Sequence, residues 1–581
     1  MLDGTSQKLL QLATENRDQH RRDYRQLADA INRPFVDRLG DGLAGQEAAE
    51  ALERHILDFE EAIADVAKRR SRLYWQHLSR RIPPVPLEGS SPWTVTLFRA
   101  VLQLAILKHG LDPVEADDMT GEDGYLVPRE ITYDDYRGIY DLEYLSLELN
   151  HAVTSYRRVG KGAVIRARTA TTYTTEANRA SERLMSLLDK RTSRYQDIFS
   201  EYGSSLDTSV ASLTDAEERY GFIPYPALNA EQQAFSEELS RVFGFALDGD
   251  GASPGTTNYL PRALAVQPLL DLLGLYDDQL HELCGASAEQ IIGVLWAVAT
   301  QQLISIRHSP SYGMQYVQRA YAVFTRDEGL ENAIEELAAL YRLFVKDRHG
   351  SLPDEAEAQQ DVETVLAALS WKDDEFSEIS LWDRAPHKVV LNYGEVGLWD
   401  FSAIPLFLRG LLAQVAFLSG EIGNVKSANF EAEAIALIGA TEGVTPWESQ
   451  KVLVAPDGSK REIDASFIAE DTLYVIECKA FSAHPRIDRG DFAALKARWE
   501  TLRAYVDQAR TLATFLETNH VGRNYAVPDG VARIEGCLCT PLAEAVPDGS
   551  PDFWLDEETP RIAVPAELLE FVTGEKASLL E

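Results

Sequence analysis

Three polar side chains in the C-terminal part of the chain have types and a spacing that could form a catalytic site. Asp464, Glu477 and Lys479 lie in the segment REIDASFIAEDTLYVIECKA, which spans residues 461–480. Successive side chains of a β-strand point to opposite faces, so Glu477 and Lys479 share one face of a strand-like segment. A charged pair on an otherwise apolar strand is costly to bury without partners or a task. This stretch is therefore the first candidate for a functional site.

The combination of carboxylates with a lysine suits the metal-assisted hydrolysis of a phosphodiester. If the strands that carry Asp464 and Glu477 are neighbours, both carboxylates can bind one cation. Glu431 or Glu433, on the preceding helical segment, can add a third ligand. Such oxygen ligands suit Mg²⁺ or Mn²⁺, and a bound metal lowers the pKa of a water molecule. Lys479 can hold that water and offset the charge that builds on the phosphate.

The elements that must position these residues form an α/β pattern from about residue 425 onward. Helical spacing predicts an opening helix in SANFEAEAIALIGATEG, a long helix over 490–519 and a closing helix over 565–574. Alternation and turn signals predict strands at 447–455, 461–469, 472–480 and 532–542. The third of these strands is apolar on both faces, which is typical of a central, covered strand. The sequence thus predicts an α/β unit of about 155 residues.

The spacing of Asp464, twelve intervening residues and then Glu477-x-Lys479 resembles the core signature of the PD-(D/E)XK nuclease superfamily. The segment NFEAEAIALIGATEG is similar to the opening helix of Mrr-like and NERD-like members. The resemblance covers roughly residues 425–581, and Ile463 stands where the superfamily name has its proline. It implies a C-terminal α/β domain of the restriction-endonuclease-like fold and the activity of a Mg²⁺-dependent (or Mn²⁺-dependent) deoxyribonuclease.

The resemblance also implies a role for each candidate residue. Asp464 and Glu477 would be catalytic metal ligands, and Lys479 would be the catalytic lysine. Glu431 would supply the carboxylate of the opening helix as a third metal ligand, with Glu433 as its substitute. These roles depend on the superfamily match and are expectations for the structure to test.

The long predicted helix adds further candidates. Gln508, in YVDQARTL, is a looser match to a supporting polar residue that some superfamily members carry on this helix. Lys496, Arg503 and Arg510 recur every seven residues and so share one helix face, which could follow a phosphate backbone. A solvated helix face is an equally ordinary explanation of this spacing. The unit as a whole holds 15 basic and 27 acidic residues, so its net charge opposes nucleic-acid binding.

The first 424 residues contain no motif of known chemistry, and their apolar spacing is mainly helical. Residues 116–145 suggest an irregular or short-stranded connector, and helical spacing returns over 146–205 and 264–345. The sequence therefore predicts a multidomain chain in which a large, mainly α-helical N-terminal body precedes the α/β domain. The predicted divisions are a helical N-terminal region, a mainly helical body of unknown role and the nuclease-like domain, at 1–115, 116–424 and 425–581.

Composition excludes several classes of protein. The net charge is −36, and four scattered cysteines predict neither a disulfide framework nor a structural zinc site. This cysteine usage suits a reducing cytoplasm, and the sequence opens without the apolar region of a signal peptide. The two most apolar stretches, 291–306 and 404–420, are too short to span a bilayer and are predicted to be buried core helices.

The leading prediction is a metal-dependent nuclease that cleaves nucleic acid, with DNA favoured because the resembled members mostly cut DNA. The helical body would sense a trigger, form a homo-oligomer, bind a protein partner or restrain the nuclease. Proteins that join such a nuclease to an unassigned body resemble bacterial and archaeal anti-phage or restriction factors. The alternative is a catalytically inactive nuclease fold that serves as a scaffold or interaction module. Glu477 and Lys479 would then be a surface ion pair worth about 0–1 kcal/mol.

Overall fold

The computed structural model describes most residues within 4–81, 92–177, 266–308, 321–415 and 423–574. In these ranges the chain is a mixed α/β protein, in which long helices are accompanied by several small β-sheets. None of the helices described there is both long and apolar enough to cross a membrane.

The N-terminal part of the chain forms a helical core. Its helices are α1 (Gly4–Glu15), α2 (Gln26–Arg38), α3 (Gly45–Ala67), α4 (Arg72–Ser79), α5 (Pro92–His109), α6 (Pro113–Ala116) and α7 (Tyr133–Gly160). Its strands are β1 (Leu43–Ala44), β2 (Met119–Glu122), β3 (Tyr125–Pro128), β4 (Val164–Ala167) and β5 (Tyr173–Glu176). The long helices α3 and α7 pack together because α3 buries Leu52, Ile56, Phe59 and Ile63, which recur at helical spacing.

Element boundaries in this part differ from those predicted. The connector expected at 116–145 does contain the hairpin β2–β3, but α7 already begins at Tyr133, where Thr132 and Asp135 form a capping box. The helix predicted over 146–205 ends at Gly160 and gives way to the hairpin β4–β5. The remainder of that predicted helix, from residue 178 onward, lies outside the described residues.

The middle part of the chain has a second core. Its helices are α8 (Val266–Leu273), α9 (Asp277–Cys284), α10 (Ala288–His308), α11 (Glu328–His349) and α12 (Glu355–Leu369). A sheet in the order β6–β8–β7 accompanies them, formed by β6 (Tyr321–Thr325), β7 (Val390–Tyr393) and β8 (Val396–Asp400). The apolar stretch 291–306 lies within α10, and Ile291 and Leu295 are buried, as predicted for a core helix. Strand β6 interrupts the helices predicted over 264–345.

The predicted boundary between residues 115 and 116 runs through the first core and does not separate two cores. That core contains residues on both sides of the boundary, and it also takes Trp371 and Leu391 from the middle part of the chain. A buried ion pair of 2.6 Å between Arg80 and Asp400 connects the end of α4 to β8. Long-range packing therefore joins the two predicted helical divisions.

The C-terminal part is a five-stranded sheet with helices on both faces. Its helices are α13 (Gly423–Ala440), α14 (Phe492–Thr518) and α15 (Pro565–Thr573). Its strands are β9 (Val444–Pro446), β10 (Lys451–Val454), β11 (Lys460–Ile463), β12 (Ala465–Ala469), β13 (Thr472–Cys478), β14 (Arg533–Cys539) and β15 (Ile562–Ala563). The sheet has the order β15–β14–β13–β12–β9. Strand β13 is antiparallel to β12 and parallel to β14, and α14 makes the crossover between the parallel strands.

The strand predicted over 461–469 is two strands in different sheets. Strand β11 pairs with β10 in a separate hairpin, whereas β12 pairs with β13 in the main sheet. The change of partner occurs at Asp464, between the two strands. The strand predicted over 447–455 is likewise reduced to β10, and β9 precedes it. The sequence predicts one strand over 461–469 because the alternation of Ile463, Ala465 and Phe467 continues through the break.

Both faces of β13 are covered, as its sequence predicted. Leu473 and Val475 pack in one core with Leu512 of α14. Ile476 packs in another core with Phe430 of α13. A strand covered on both faces usually has a continuous apolar sequence. The charged residues at the end of β13 depart from this pattern and need a separate explanation.

Two glycines form a close contact between the first core and the C-terminal part. A Cβ atom on Gly160, the last residue of α7, would lie 2.4 Å from the carbonyl oxygen of Gly490. Gly490 has φ +87°, and a Cβ there would lie 2.7 Å from the Cα of Arg157. Only glycine fits both positions without a shift of the backbone. Gly490 directly precedes Asp491, the N-cap of α14, so this contact lies at the start of that helix.

We expect Gly160→Ala to lower the free energy of unfolding by about 1–3 kcal/mol, since the added methyl group meets rigid backbone. Gly439→Ala is the matched control, because no atom lies within 4 Å of a Cβ at this helical position. That control should be neutral or stabilising by up to about 1 kcal/mol. Chemical denaturation of both variants measures the difference, and equal stabilities would contradict the close contact.

Candidate active site

Asp464 lies where the chain passes from β11 to β12. Its Oδ2 atom accepts a hydrogen bond of 2.8 Å from the backbone N–H of Cys478, at the end of β13. Its carbonyl oxygen accepts one of 3.0 Å from the N–H of Gln450. The register places Ala465 opposite Ile476, so Asp464 comes next to the end of β13. The two strands that the predicted site requires are therefore neighbours.

Glu477 and Lys479 form an ion pair beside Asp464. The Nζ atom of Lys479 is 2.5 Å from Oε1 of Glu477 and 3.6 Å from Oδ2 of Asp464. It also donates a hydrogen bond of 3.1 Å to the carbonyl oxygen of Cys478. Glu477 is only 4% exposed, and Nε2 of Gln508 donates to its Oε1 at 2.7 Å. The structure thus brings together the two strand carboxylates, the lysine and the predicted supporting glutamine.

Of the two glutamates predicted on the opening helix, Glu431 faces this cluster and Glu433 does not. The carboxylate of Glu431 interacts with the charges of Asp464 and Lys479. Glu433 is two residues further along α13, which is about 200° around the helix. Its charge acts on Tyr276 of the second core instead. Glu431 is therefore the helix carboxylate of the candidate site, and Glu433 lies outside it.

The cluster holds more negative than positive charge. Burial raises the pKa of Glu431, and the charge of Asp464 raises it further. Burial also raises the pKa of Glu477, although the hydrogen bond with Lys479 opposes this shift. Burial disfavours the charged form of Lys479, but the hydrogen bond and the charge of Glu477 outweigh burial and raise the pKa of the lysine. Several carboxylates thus compete for one ammonium group, and an added cation would relieve their repulsion.

Two residues near the site were not predicted from the sequence. The ring centre of Tyr505 lies 5.3 Å from Nζ of Lys479, in a cation–π contact. Tyr505 precedes Gln508 by three residues, so helical spacing could have placed it on the same face. Gln450, just before β10, acts on Glu431 as a hydrogen-bonding neighbour that opposes the rise in the pKa of this carboxylate. Nothing in the sequence around Gln450 marks it as part of a site.

The basic residues predicted to follow a phosphate backbone share one face of α14, as their spacing required: Lys496, Arg503 and Arg510. Arg510 is about 160° around the helix from Gln508. Arg510 pairs with Asp552 at 2.8 Å, and the guanidinium of Arg503 lies 5.6 Å from the ring centre of Phe553. A role for this face along a phosphate backbone stays a prediction, since seven-residue spacing fixes a common face but not its direction.

The donor set suits a divalent cation, although it is not assembled as a closed metal site. Among the residues that the structure describes, no three or more His, Cys, Asp and Glu side chains are grouped so that they could hold a metal ion. Lys479 lies between Asp464 and Glu477 instead. Mg²⁺ and Mn²⁺ often use one or two protein carboxylates and keep their waters, so the oxygens present are of the right type. The set of Asp464, Glu477 and Glu431 as metal ligands stays a prediction.

The electrostatics of Glu431 lead to a prediction about stability. Without divalent metal, Glu431→Gln should raise the melting temperature at neutral pH, because the raised pKa means that folding disfavours the ionised carboxylate. The folded protein binds this proton more tightly than the unfolded chain does. The advantage of the variant should therefore shrink as the pH falls through the raised pKa.

Thermal unfolding in a chelating buffer from about pH 4 to about pH 8 measures this effect. Glu500→Gln, at an exposed position of α14, is the control and should leave the melting temperature almost unchanged. A melting temperature of Glu431→Gln below that of the wild type at neutral pH would contradict the electrostatic description.

No family model matches the chain, and comparisons with curated proteins and with solved structures also gave no match. A function therefore has to be inferred from the geometry of Asp464, Glu477 and Lys479 at the end of β13.

Proposed function

We propose that residues 423–574 form a metal-dependent nuclease of the PD-(D/E)XK type, which hydrolyses phosphodiester bonds of nucleic acid, with DNA favoured. The observation that carries this proposal is the meeting of Asp464, Glu477 and Lys479 at the end of a strand covered on both faces. Burying charges costs free energy that a simple ion pair often does not recover. A catalytic task would explain why two carboxylates and an ammonium group are held there.

The strand topology supports the same proposal. Helix α13 precedes the antiparallel strands β9, β12 and β13, and α14 crosses to the parallel strand β14. This order resembles the core of the restriction-endonuclease-like fold, in which the acidic residues come from adjacent strands and the preceding helix. Under the proposal, the C-terminal unit is a domain of that fold.

Asp464, Glu477 and Glu431 would hold the divalent cation, Mg²⁺ or Mn²⁺. When bound, the ion would supply positive charge to the phosphate and lower the pKa of a water molecule. The chain contributes a carboxylate held in place, since Gln508 and Lys479 both contact Oε1 of Glu477. It also orients Asp464 through the backbone of Cys478. Such preorganised groups need little rearrangement when the reaction begins.

Lys479 would act on the reacting groups directly. Its pKa is raised by Glu477 against the effect of burial, so its amine stays charged. A charged ammonium group can orient the attacking water and stabilise negative charge on the phosphate oxygens. The water gives up one proton to solvent as its oxygen bonds to phosphorus, the bond to the leaving oxygen breaks, and the leaving oxygen takes up a proton from solvent. Tyr505, beside Nζ, limits where the ammonium group can move.

The helical body would control the nuclease. The contact between Gly160 and Gly490 connects α7 to the start of α14, the helix that carries Tyr505 and Gln508. A trigger, a partner protein or a second copy that moves α7 would therefore move two side chains of the site. Such control would suit an anti-phage or restriction factor, whose nuclease must stay inactive until it is needed.

The alternative function is a catalytically inactive scaffold that keeps the nuclease fold. It is favoured by the short distance of 2.5 Å between Lys479 and Glu477, which satisfies both charges without a metal. Calorimetric titration with Mn²⁺ separates the two functions. Binding that Asp464→Asn removes supports the nuclease, whereas no binding, or binding that Asp464→Asn leaves unchanged, supports the scaffold.

We predict that the wild-type protein cleaves plasmid DNA in the presence of Mg²⁺ or Mn²⁺ and that Lys479→Ala slows cleavage by about 100-fold or more. The reason is the loss of the charge that orients water and stabilises the phosphate. Lys346→Ala, which removes an exposed lysine of α11, is the matched control and should cut like the wild type.

Equal cleavage by the wild type and Lys479→Ala would overturn the nuclease assignment. A wild-type protein that does not cut would leave two cases, a nuclease restrained by its body and an inactive scaffold. The Mn²⁺ titration with Asp464→Asn then decides between them.

A further inference from the structure

A pair of aromatic residues lies beside the lysine of the candidate site. The ring centre of Tyr505 is 5.3 Å from Nζ of Lys479, and the ring centre of Phe481 is 5.6 Å from that of Tyr505. The N–H of Phe481 donates a hydrogen bond of 2.9 Å to the carbonyl oxygen of Lys479, so a tight turn fixes the backbone directly after the lysine. Both rings are half-buried, so part of each stays open to solvent.

Helix α14 holds this pair in place. Arg498 and Tyr505 are seven residues apart and therefore share one face of the helix. The guanidinium of Arg498 lies 4.5 Å from the ring centre of Phe481, in a cation–π contact. Arg498 also pairs with Glu544 at 3.2 Å, and the two side chains are only 13% and 7% exposed. The ring of Phe481 is thus held between elements of the fold before any ligand binds.

Packing explains only part of this arrangement. Both rings contact a small core that includes Leu502, Val506 and Leu538. Full burial of an aromatic ring gives the largest gain in stability, and other rings of the C-terminal unit, such as those of Phe467 and Phe553, are completely buried. Phe481 and Tyr505 instead keep open surface beside the ammonium group that would act on a phosphate.

The exposed surface of an aromatic pair suits a nucleobase. Every base has a flat π-face that stacks on Phe or Tyr, whatever the sequence, and this contact needs no positive charge. The C-terminal unit holds 15 basic and 27 acidic residues, so a neutral contact can supply affinity where the charges oppose a phosphate backbone. In a paired duplex the bases already stack on one another, and reaching one requires unpairing and unstacking.

We propose that Phe481 and Tyr505 form a stacking platform for an unpaired base near the scissile phosphate, so that the substrate of the nuclease is single-stranded DNA or a locally opened duplex. The inference rests on the proposed function and names its substrate class. Negative supercoiling favours local opening of a duplex, so cleavage of plasmid DNA stays expected, at a lower rate than that of a single strand.

Cleavage in Mg²⁺ of a single-stranded oligonucleotide and of its relaxed linear duplex measures this preference. We expect the wild type to cut the single strand about 10-fold or more faster, and Phe481→Leu to lose most of the difference. Phe515→Leu is the matched control, because Phe515 is also half-buried and has a guanidinium, that of Arg461, 5.9 Å from its ring centre. This control should keep the preference.

A binding measurement needs no cleavage. Fluorescence anisotropy gives the affinity of Lys479→Ala in Mg²⁺ for labelled single strands that each lack one base. One of these strands should bind about 10-fold or more weakly than the complete strand, because the base that stacks is missing. Adding Phe481→Leu should abolish this penalty, since the contact is already lost, whereas adding Phe515→Leu or Tyr505→Phe should preserve it.

The outcomes also distinguish this inference from the proposed function. Equal affinity for the single strand and the duplex, or a penalty that Phe481→Leu leaves unchanged, would overturn the stacking platform alone. The nuclease proposal would then still be supported by cleavage that Lys479→Ala slows. A wild-type protein that does not cut leaves the binding measurement to decide on the platform and the Mn²⁺ titration to decide on the nuclease.

Discussion

The candidate site depends on one hydrogen bond, in which the N–H of Cys478 donates to Oδ2 of Asp464. Asp464 lies between two strands that belong to different sheets, so its side chain is not fixed by the pairing of either strand alone. The hydrogen bond attaches it to the end of β13, where Glu477 and Lys479 lie on either side of Cys478. With Asp464 in this place, α14 supplies Gln508 and Tyr505, and α13 supplies Glu431. The crossover helix and the antiparallel register thus make one cluster from residues that are distant in sequence.

The sequence predicted the parts of this site that lie within one regular element. Alternation placed Glu477 and Lys479 on a common face, and the two charges are in contact. The resemblance named Glu431 first and Glu433 as its substitute, and Glu431 is the one that faces the cluster. The break at Asp464 was missed because a strand that changes partner keeps its alternation. Gln450, with φ +47°, was missed because it is neither a glycine nor part of a recognisable turn motif.

The helical body was predicted less well, for reasons of long-range packing. Helix α7 was assigned too late a start because its first turns bury Tyr136, Tyr140 and Glu143, whose polar atoms conceal the apolar spacing. Trp371 joins a core built mostly from residues before 174, and such a contact cannot be derived from local pattern. The C-terminal unit was more predictable because its sheet is formed mainly by neighbouring segments. Its contact with the helical body, through Gly160 and Gly490, is also long-range, and two isolated glycines do not predict such a contact.

The acidic character of the chain sets a condition on the proposed function. Its net charge is −36, and among the described residues the carboxylates of Glu431, Glu462, Asp464 and Glu477 act at the site together with Lys479. A phosphate that approaches the metal-free site would be repelled by these carboxylates. A divalent ion would be the largest local charge and would reverse the sign at the point where the carboxylates meet. Under the proposed function, metal binding must therefore precede nucleic-acid binding. The surrounding acidic surface would then discourage contact elsewhere on the C-terminal unit, so that additional affinity has to come from the helical body or from a partner.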